Sequence, residues 1–320
     1  MPGVVSPPDW LAQAPDPFGP APLVLLLGAL VLDACAGEPR WLPGRLPGPA
    51  AMVAAVVGRL EPRLNRPRRP PLDRLVRGVL LVLFLALAAA LLGAAAAWVA
   101  RRVPFGWGLE LALVFGLVAA RGPWDRARRL TAGAAVEPGA ALWPFAPPEP
   151  GKSLSRPAIL RGLAVALVEG LAGVAFWYLL AGLPGLAAYR AITLCAHLLE
   201  KPAPRYAQFG LAARRISETL SLLPAVLVGA ALCPAAVFVP GGRPRGVIAG
   251  LAGWGSGPGN RAHLIAAAAF SGGLGLVPSG RGEPVAETEA DLRRGLYLCV
   301  VVWLIGIAAL AGLAMVRFSG

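Results

Sequence analysis

One uninterrupted apolar segment restricts this chain more than any other feature. Leu75–Ala100 contains a single charged residue, Arg77, close to its beginning. The hydrocarbon core of a bilayer is about 30 Å thick, and a helix needs about 20 apolar residues to cross it. Because backbone polar groups in lipid must be hydrogen-bonded internally, this segment predicts a transmembrane α-helix. Trp98 suits the membrane interface, and two arginines after Ala100 end the span.

Other apolar segments extend this prediction to the whole chain. Hydrophobic residues make up 57% of the sequence and charged residues 15%, whereas soluble domains carry about 25% charged residues. We therefore expect an all-α, polytopic helical integral membrane protein with about five to seven apolar helices, some of them short or re-entrant. A Pro-rich tail over 1–21 would precede a single helical membrane domain over 22–320. The further apolar segments are 22–37, 107–120, 163–181, 186–199, 221–239, 266–276 and 296–316.

The positive charge of the chain is concentrated in loops between these segments. The formal net charge is +13, which raises the question of a nucleic-acid partner. Its distribution instead favours cytoplasmic loops that face anionic lipid. We expect loops 38–74 and 121–161 to be cytoplasmic, with 22–37, 75–100 and 107–120 all crossing. The protein would then be a multi-pass protein of the bacterial inner membrane, surrounded by lipid and without nucleic acid.

The central segment carries an isolated acid, Glu169, with no other charge between Arg161 and Arg190. A carboxylate at membrane depth costs about 2.5–3.5 kcal/mol on insertion scales, so such residues are usually paired or functional. Helices over Leu163–Ala181 and Leu186–Leu199 would form an antiparallel pair around a bend at Gly182–Gly185.

At about 1.5 Å per residue, Glu169 lies about 18 Å before this bend and His197 about 18 Å after it. A Glu169–His197 pair is therefore one hypothesis. The alternative is that a hydroxyl or backbone group satisfies Glu169 while His197 lies near an interface. His197 and His263 are too isolated in the sequence to predict a metal site.

Three blocks in the sequence resemble motifs of one protein family. Leu30–Pro43, LVLDACAGEPRWLP, resembles an "LD…GDP…WP" motif with Glu38 in place of the usual Asp. Val168-Glu169-Gly170 stands where the family has "VDG", and Leu179–Leu194 resembles "LLGGAPGALAYRAVNTL". Gly257–Asn260 is similar to the beginning of "SPN…W.E". In this order and spacing, the blocks resemble the CobD/CbiB family of cobalamin biosynthesis, the adenosylcobinamide-phosphate synthases.

This resemblance implies a membrane ligase. It would join a carboxylate of adenosylcobyric acid, a corrinoid, to aminopropanol or its phosphate through an amide bond, with ATP and Mg²⁺. Other cobalamin-pathway enzymes would be possible partners. Carboxylates would hold Mg²⁺, and basic groups would neutralise phosphates. The candidate catalytic residues are Glu169, Glu218 and Glu38, with Glu169 and Glu218 as metal ligands; the candidate substrate-binding residues are Asp33, Arg190, His197, Arg205, Arg214 and Asn260.

Departures from the family pattern leave other functions open. In the "NTLDSMVGY" motif, Ala196 replaces the Asp and Thr193 the Asn, and Leu264 stands about where the third block has its Glu. A non-catalytic membrane scaffold or corrinoid-binding relative is therefore the second hypothesis. A small-molecule transporter is the third, based on Glu169 and on helices broken by prolines 184, 224 and 234.

Overall fold

The computed structural model describes residues 21–36, 49–118, 121–131, 155–201, 203–252, 260–276 and 288–319. Residues 1–20 of the predicted tail, Glu38 and the glycine-rich segment 253–259 lie outside these ranges. All regular structure within them is helical. The helices are α1 Pro22–Ala36, α2 Pro49–Leu64, α3 Pro71–Arg102, α4 Trp107–Leu117, α5 Arg121–Thr131, α6 Arg156–Ala166, a π-helical turn Leu167–Ala172, α7 Gly173–Leu199, α8 Pro204–Phe209, α9 Leu211–Ala235, α10 Pro244–Ala252, α11 Arg261–Gly273 and α12 Glu289–Ser319.

Four segments of the described chain are long and apolar enough to cross a membrane: Pro71–Arg102, Arg156–Leu199, Leu211–Ala235 and Glu289–Val316. The predicted all-α, multi-pass membrane protein is therefore confirmed. In α3, the side chains turned outward include leucines at helical spacing, which is the reverse of a soluble helix and fits contact with lipid. These exposed leucines are Leu80, Leu83, Leu87 and Leu91.

Two short apolar helices, α1 and α4, pack against each other, and each is shorter than the hydrocarbon core of a bilayer. They contain 15 and 11 residues, which at about 1.5 Å per residue gives about 23 Å and 17 Å. Both lengths fall short of the roughly 30 Å hydrocarbon core. The expectation that 107–120 crosses stays a prediction: α4 ends at Leu117, but the chain runs from Glu110, which accepts from Tyr178 near the bend, to Trp124, which donates to Leu296 near the opposite end.

The basic loops predicted over 38–74 and 121–161 contain helices of their own. In α2, Val53, Val57, Leu60 and Leu64 recur at helical spacing and pack against the end of α7. The sequence analysis did not predict α2, because its apolar residues occupy one face and its polar residues lower the average hydrophobicity of the segment.

The predicted hairpin around residues 182–185 is present within α7. Helical geometry breaks at Ala181 and Gly182, and Gly182 has φ +63°, a conformation that glycine adopts at little cost. The first arm comprises α6, the π-helical turn and α7 as far as Ala181; the second arm is 183–199. The ring of Tyr189 in the second arm lies directly against Gly173 in the first, where any side chain would collide with it.

Helix α9 continues through Pro224 and Pro234, where the transporter hypothesis expected breaks. A proline inside a helix leaves the carbonyl four residues earlier without its N–H donor. For Pro224 that carbonyl belongs to Leu220, and the indole Nε1 of Trp177 donates to it over 3.2 Å. A side chain of the first arm thus supplies the hydrogen bond that Pro224 cannot make.

Close contacts at four glycines show which helices run in the same direction. Near the beginning of α3, Gly78 contacts Phe209, and further along Gly93 contacts the hairpin bend at Leu183. Helix α3 therefore runs in the same direction as the first arm. Helix α12 also does so, because its Gly295 packs on Leu160 and its Gly306 on Leu171. The beginnings of α3, α6 and α12 accordingly lie at one end of the bundle, opposite the bend.

Candidate functional site

Glu169 occupies a π-helical turn in the first arm and is completely buried. Such turns carry one extra residue in the helical repeat and are frequent at functional sites. The guanidinium Nη1 of Arg190, in the second arm, donates to the backbone carbonyl of Glu169 over 3.5 Å. The two arms thus fix the backbone that carries the carboxylate.

Both histidines of the chain contact this one carboxylate. Nε2 of His197 lies 2.9 Å from Oε2 of Glu169, and Nε2 of His263 lies 2.7 Å from Oε1. The two imidazole rings are parallel within 1°, with centroids 5.7 Å apart. The predicted Glu169–His197 pair is therefore present, and His263 completes a cluster that sequence separation did not suggest.

Asn260 places His263 in this cluster. Its side-chain oxygen accepts a hydrogen bond from the backbone N–H of His263 over 3.4 Å and caps the first turn of α11. His263 is thereby held at the beginning of a helix that packs on α9 and on α6. The third sequence block thus contributes a helix cap, and the histidine that follows it reaches Glu169.

A cavity of about 210 Å³ lies beside the cluster. Lys201 and Arg214 supply positive charge to its lining. The Ser217 hydroxyl in the lining is buried and has no hydrogen-bond partner among the described residues. A polar, basic wall next to a carboxylate–imidazole cluster suits an anionic substrate. The polar lining residues are His197, Glu200, Lys201, Tyr206, Arg214, Ser217, Asn260 and His263.

Tyr206 forms one edge of the same cavity and joins it to α2. Its hydroxyl donates to Oε1 of Glu61 over 2.8 Å and accepts from Nζ of Lys201 and Nη2 of Arg205 over 3.3 and 3.2 Å. The predicted substrate-binding Arg205 is thus engaged with Tyr206. Asn65, the residue after the end of α2, is buried, and its side-chain amide atoms have no hydrogen-bond partner among the described residues.

Two predicted acids do not join the cluster. Glu218 is buried, and its two oxygens face Arg215 at 3.1 Å and Arg261 at 3.7 Å. Asp33 lines a separate, mostly apolar cavity of about 180 Å³ with Trp124 and Trp303. Glu38 lies outside the described residues.

One sequence signal could have pointed to His263. The chain contains two histidines, and they stand beside the two acidic family positions that are missing here, His197 after Ala196 and His263 before Leu264. Their convergence depends on how α7 and α11 pack around Glu169, which no local pattern encodes.

Comparisons with known proteins agree with this arrangement of blocks. A family described as CobD/Cbib protein matches residues 26–276. The cobalamin biosynthesis protein CobD of Sinorhizobium sp is 32% identical over 232 residues, covering 68% of this chain and 69% of the relative. The proteins of the same name from Rhizobium meliloti (strain 1021) and Rhodobacter capsulatus are each 30% identical, over 68% and 64% of this chain and 68% and 67% of their own length. No solved structure gave a significant match.

Proposed function

We propose a function for this chain from one premise: it belongs to the CobD/CbiB family of cobalamin biosynthesis proteins. The chain therefore acts in cobalamin biosynthesis. We assign to it the synthase step in which a carboxylate of adenosylcobyric acid is joined to aminopropanol, or aminopropanol phosphate, through an amide bond. The corrinoid is a substrate, and ATP supplies the free energy.

One observation locates the proposed reaction in the molecule: His197 and His263, which both contact Glu169, line the same cavity as Lys201 and Arg214. Both the aminopropanol phosphate and ATP are anionic, and charge-assisted hydrogen bonds to ammonium and guanidinium groups are about twice as strong as neutral ones. The basic residues would hold phosphate groups. The cluster would face the corrinoid carboxylate and the amine that are joined.

The position of this cavity supports work on the cytoplasmic side. It lies toward the bundle end at which α3, α6 and α12 begin, opposite the bend at Gly182. Loops with an excess of arginine flank that end, and such loops stay in the cytoplasm. We propose a bacterial inner-membrane location in which ATP reaches the cavity from the cytoplasm and other cobalamin-pathway enzymes can deliver the corrinoid.

A magnesium ion held between Glu169 and Glu218 does not fit the geometry. Mg²⁺ prefers an octahedral set of oxygen ligands, whereas the oxygens of Glu169 face imidazole nitrogens and those of Glu218 face arginines. We therefore derive no step through a protein-held Mg²⁺. The Mg²⁺ that accompanies ATP would be bound mainly by the phosphates.

The test is complementation of a bacterial strain that lacks its own synthase and receives adenosylcobyric acid as the sole corrinoid. We expect growth with this chain and no growth with Glu169→Gln, provided that immunoblots show equal amounts of both in the membrane. Absence of growth with the unaltered chain at normal membrane levels would contradict the synthase assignment.

A non-catalytic, corrinoid-binding relative is the second candidate, and one feature favours it. Ala196, where the family pattern has an Asp, lines the cavity itself, so the missing carboxylate would have belonged to the site. Suppose that the unaltered chain fails to complement because it lacks only these polar groups. The triple variant Ala196→Asp, Thr193→Asn, Leu264→Glu should then gain activity. Failure of both, with retained corrinoid binding, would favour the non-catalytic role.

A further inference from the structure

We propose that Glu169, His197 and His263 bind one divalent transition-metal ion of the zinc class, with an open coordination position toward the cavity. One ligand atom from each residue lies within 4.8 Å of the others. Zinc binds imidazole nitrogen and carboxylate oxygen at about 2.0–2.2 Å, which places ligand atoms about 3.4 Å apart around a tetrahedral ion. The contacts of 2.7 and 2.9 Å join the two rings to different oxygens of Glu169, so a bound ion would replace these hydrogen bonds and draw the three ligand atoms to that spacing.

The convergence of the two histidines is the first argument. They are the histidines of the entire 320-residue chain, they come from helices α7 and α11, and both direct Nε2 at Glu169. Their side chains are 20% and 15% exposed, so they stand between the fully buried carboxylate and the cavity. Any hydrogen-bond donor on each oxygen would satisfy Glu169. Two parallel imidazoles do this and also supply two nitrogen atoms that can coordinate a metal ion beside the carboxylate.

An unpartnered hydroxyl provides the second, independent argument. Ser217 is 1% exposed, its Oγ has no hydrogen-bond partner among the described residues, and it lines the cavity together with both histidines. Buried polar groups are almost always hydrogen-bonded. A water or anion on the open position of the ion would give Ser217 a partner.

The donor set selects the class of metal. Two imidazoles and a carboxylate, completed by water or substrate, form the usual ligand set of catalytic zinc sites, and the same set with more open positions holds non-haem Fe²⁺. Mg²⁺ is disfavoured because it requires oxygen ligands. In the sequence, His197 and His263 each adjoin a family acidic position occupied here by Ala196 or Leu264. This chain thus has imidazole side chains beside the two positions at which the family pattern has carboxylates.

Metal binding can be measured without any synthase assay, so its outcome is separate from that of the function proposed above. Full-length protein is purified in detergent with a tag that contains no histidine, and its metal content is determined by mass spectrometry. It is then stripped with EDTA and titrated with Zn²⁺ and Co²⁺. We expect one equivalent of zinc or iron in the purified protein, and one equivalent of Co²⁺ that gives intense visible absorption bands.

Variants assign the ligands. His197→Ala, His263→Ala and Glu169→Gln should each weaken Co²⁺ binding by about 100-fold or more, because loss of even an outer-shell partner costs about 10–100-fold. Glu218→Gln is the matched control: it alters a buried carboxylate that is paired with arginines, and should keep one equivalent. Inorganic phosphate should change the Co²⁺ spectrum through the open position.

Three results would overturn the proposal, given monodisperse protein by size exclusion. The first is unaltered protein that takes up less than about a tenth of an equivalent of either metal. The second is uptake that survives replacement of both histidines, which would place the ion at an adventitious site such as a cysteine. The third is a Co²⁺ spectrum insensitive to phosphate, which would remove the open position.

Discussion

Replacing Trp177 by Phe should destabilise the protein by about 1–3 kcal/mol, the usual cost of leaving a buried polar group unsatisfied. The indole N–H is the donor to the Leu220 carbonyl at 3.2 Å, and Pro224 cannot replace it. Phe keeps an aromatic ring in the place where Trp177 stacks on Tyr189. The change therefore removes chiefly the hydrogen bond and the extra ring volume.

A double-mutant cycle with Pro224→Ala separates these two contributions. In α9 an alanine at 224 restores the backbone N–H, which can donate to Leu220 as in an ordinary helix. Trp177→Phe should then cost about 1 kcal/mol less than in the unaltered chain, since that is the typical net contribution of a hydrogen bond. The loss of ring volume is common to both backgrounds and cancels.

Trp124→Phe is the control. Its indole also donates to a helical carbonyl, Leu296, over 3.2 Å, but Val300 follows four residues later in α12 and retains its own N–H for that carbonyl. This substitution should cost less and should not depend on Pro224. Equilibrium unfolding of the purified variants in mixed detergent measures all of these differences. A coupling energy between Trp177 and Pro224 below about 0.5 kcal/mol, the ordinary limit of additivity, would refute the reasoning.

Three further predictions concern the site and its orientation. Glu169→Gln should leave membrane expression intact and lower synthase turnover by about 100- to 1,000-fold, the usual loss when one positioned charge is removed; unchanged turnover in a purified assay would place the site elsewhere. Tyr206→Phe should lower stability by about 1.5–3 kcal/mol because it removes a hydrogen bond to the Glu61 carboxylate, and thermal unfolding that matches the unaltered chain would contradict this. Cysteines introduced at Arg66 and Arg128 should react with impermeant reagents only from the cytoplasmic side; labelling of both from outside would reverse the orientation.

Segments with one strong local signal were predictable from the sequence. The length and apolarity of 75–100 predicted α3, and the Gly-Leu-Pro-Gly sequence predicted the bend at Gly182. Equal distances from that bend then predicted the depth at which Glu169 meets His197. These are properties of single helices and of one turn, so no knowledge of the remaining chain was needed.

Features that depend on contacts between distant elements were not predictable. Helix α9 continues through Pro224 because Trp177, 47 positions earlier, supplies a donor. His263 reaches Glu169 because Asn260 caps α11 and α11 packs against the first arm. The length of a short helix such as α4 is set by its packing against other helices. Hydropathy alone therefore overestimated it: the apolar segment extends to 120, but the helix ends at Leu117.

The histidine content of the chain gives the site a built-in spectroscopic reporter. With two imidazoles in the sequence and both on Glu169, histidine labelled with ¹⁵N yields ring resonances from this cluster and from nowhere else in the polypeptide. Single replacement of either residue assigns them. Occupancy, ligand exchange and substrate arrival at the cavity can thus be followed in full-length protein in a membrane mimetic, without an added probe.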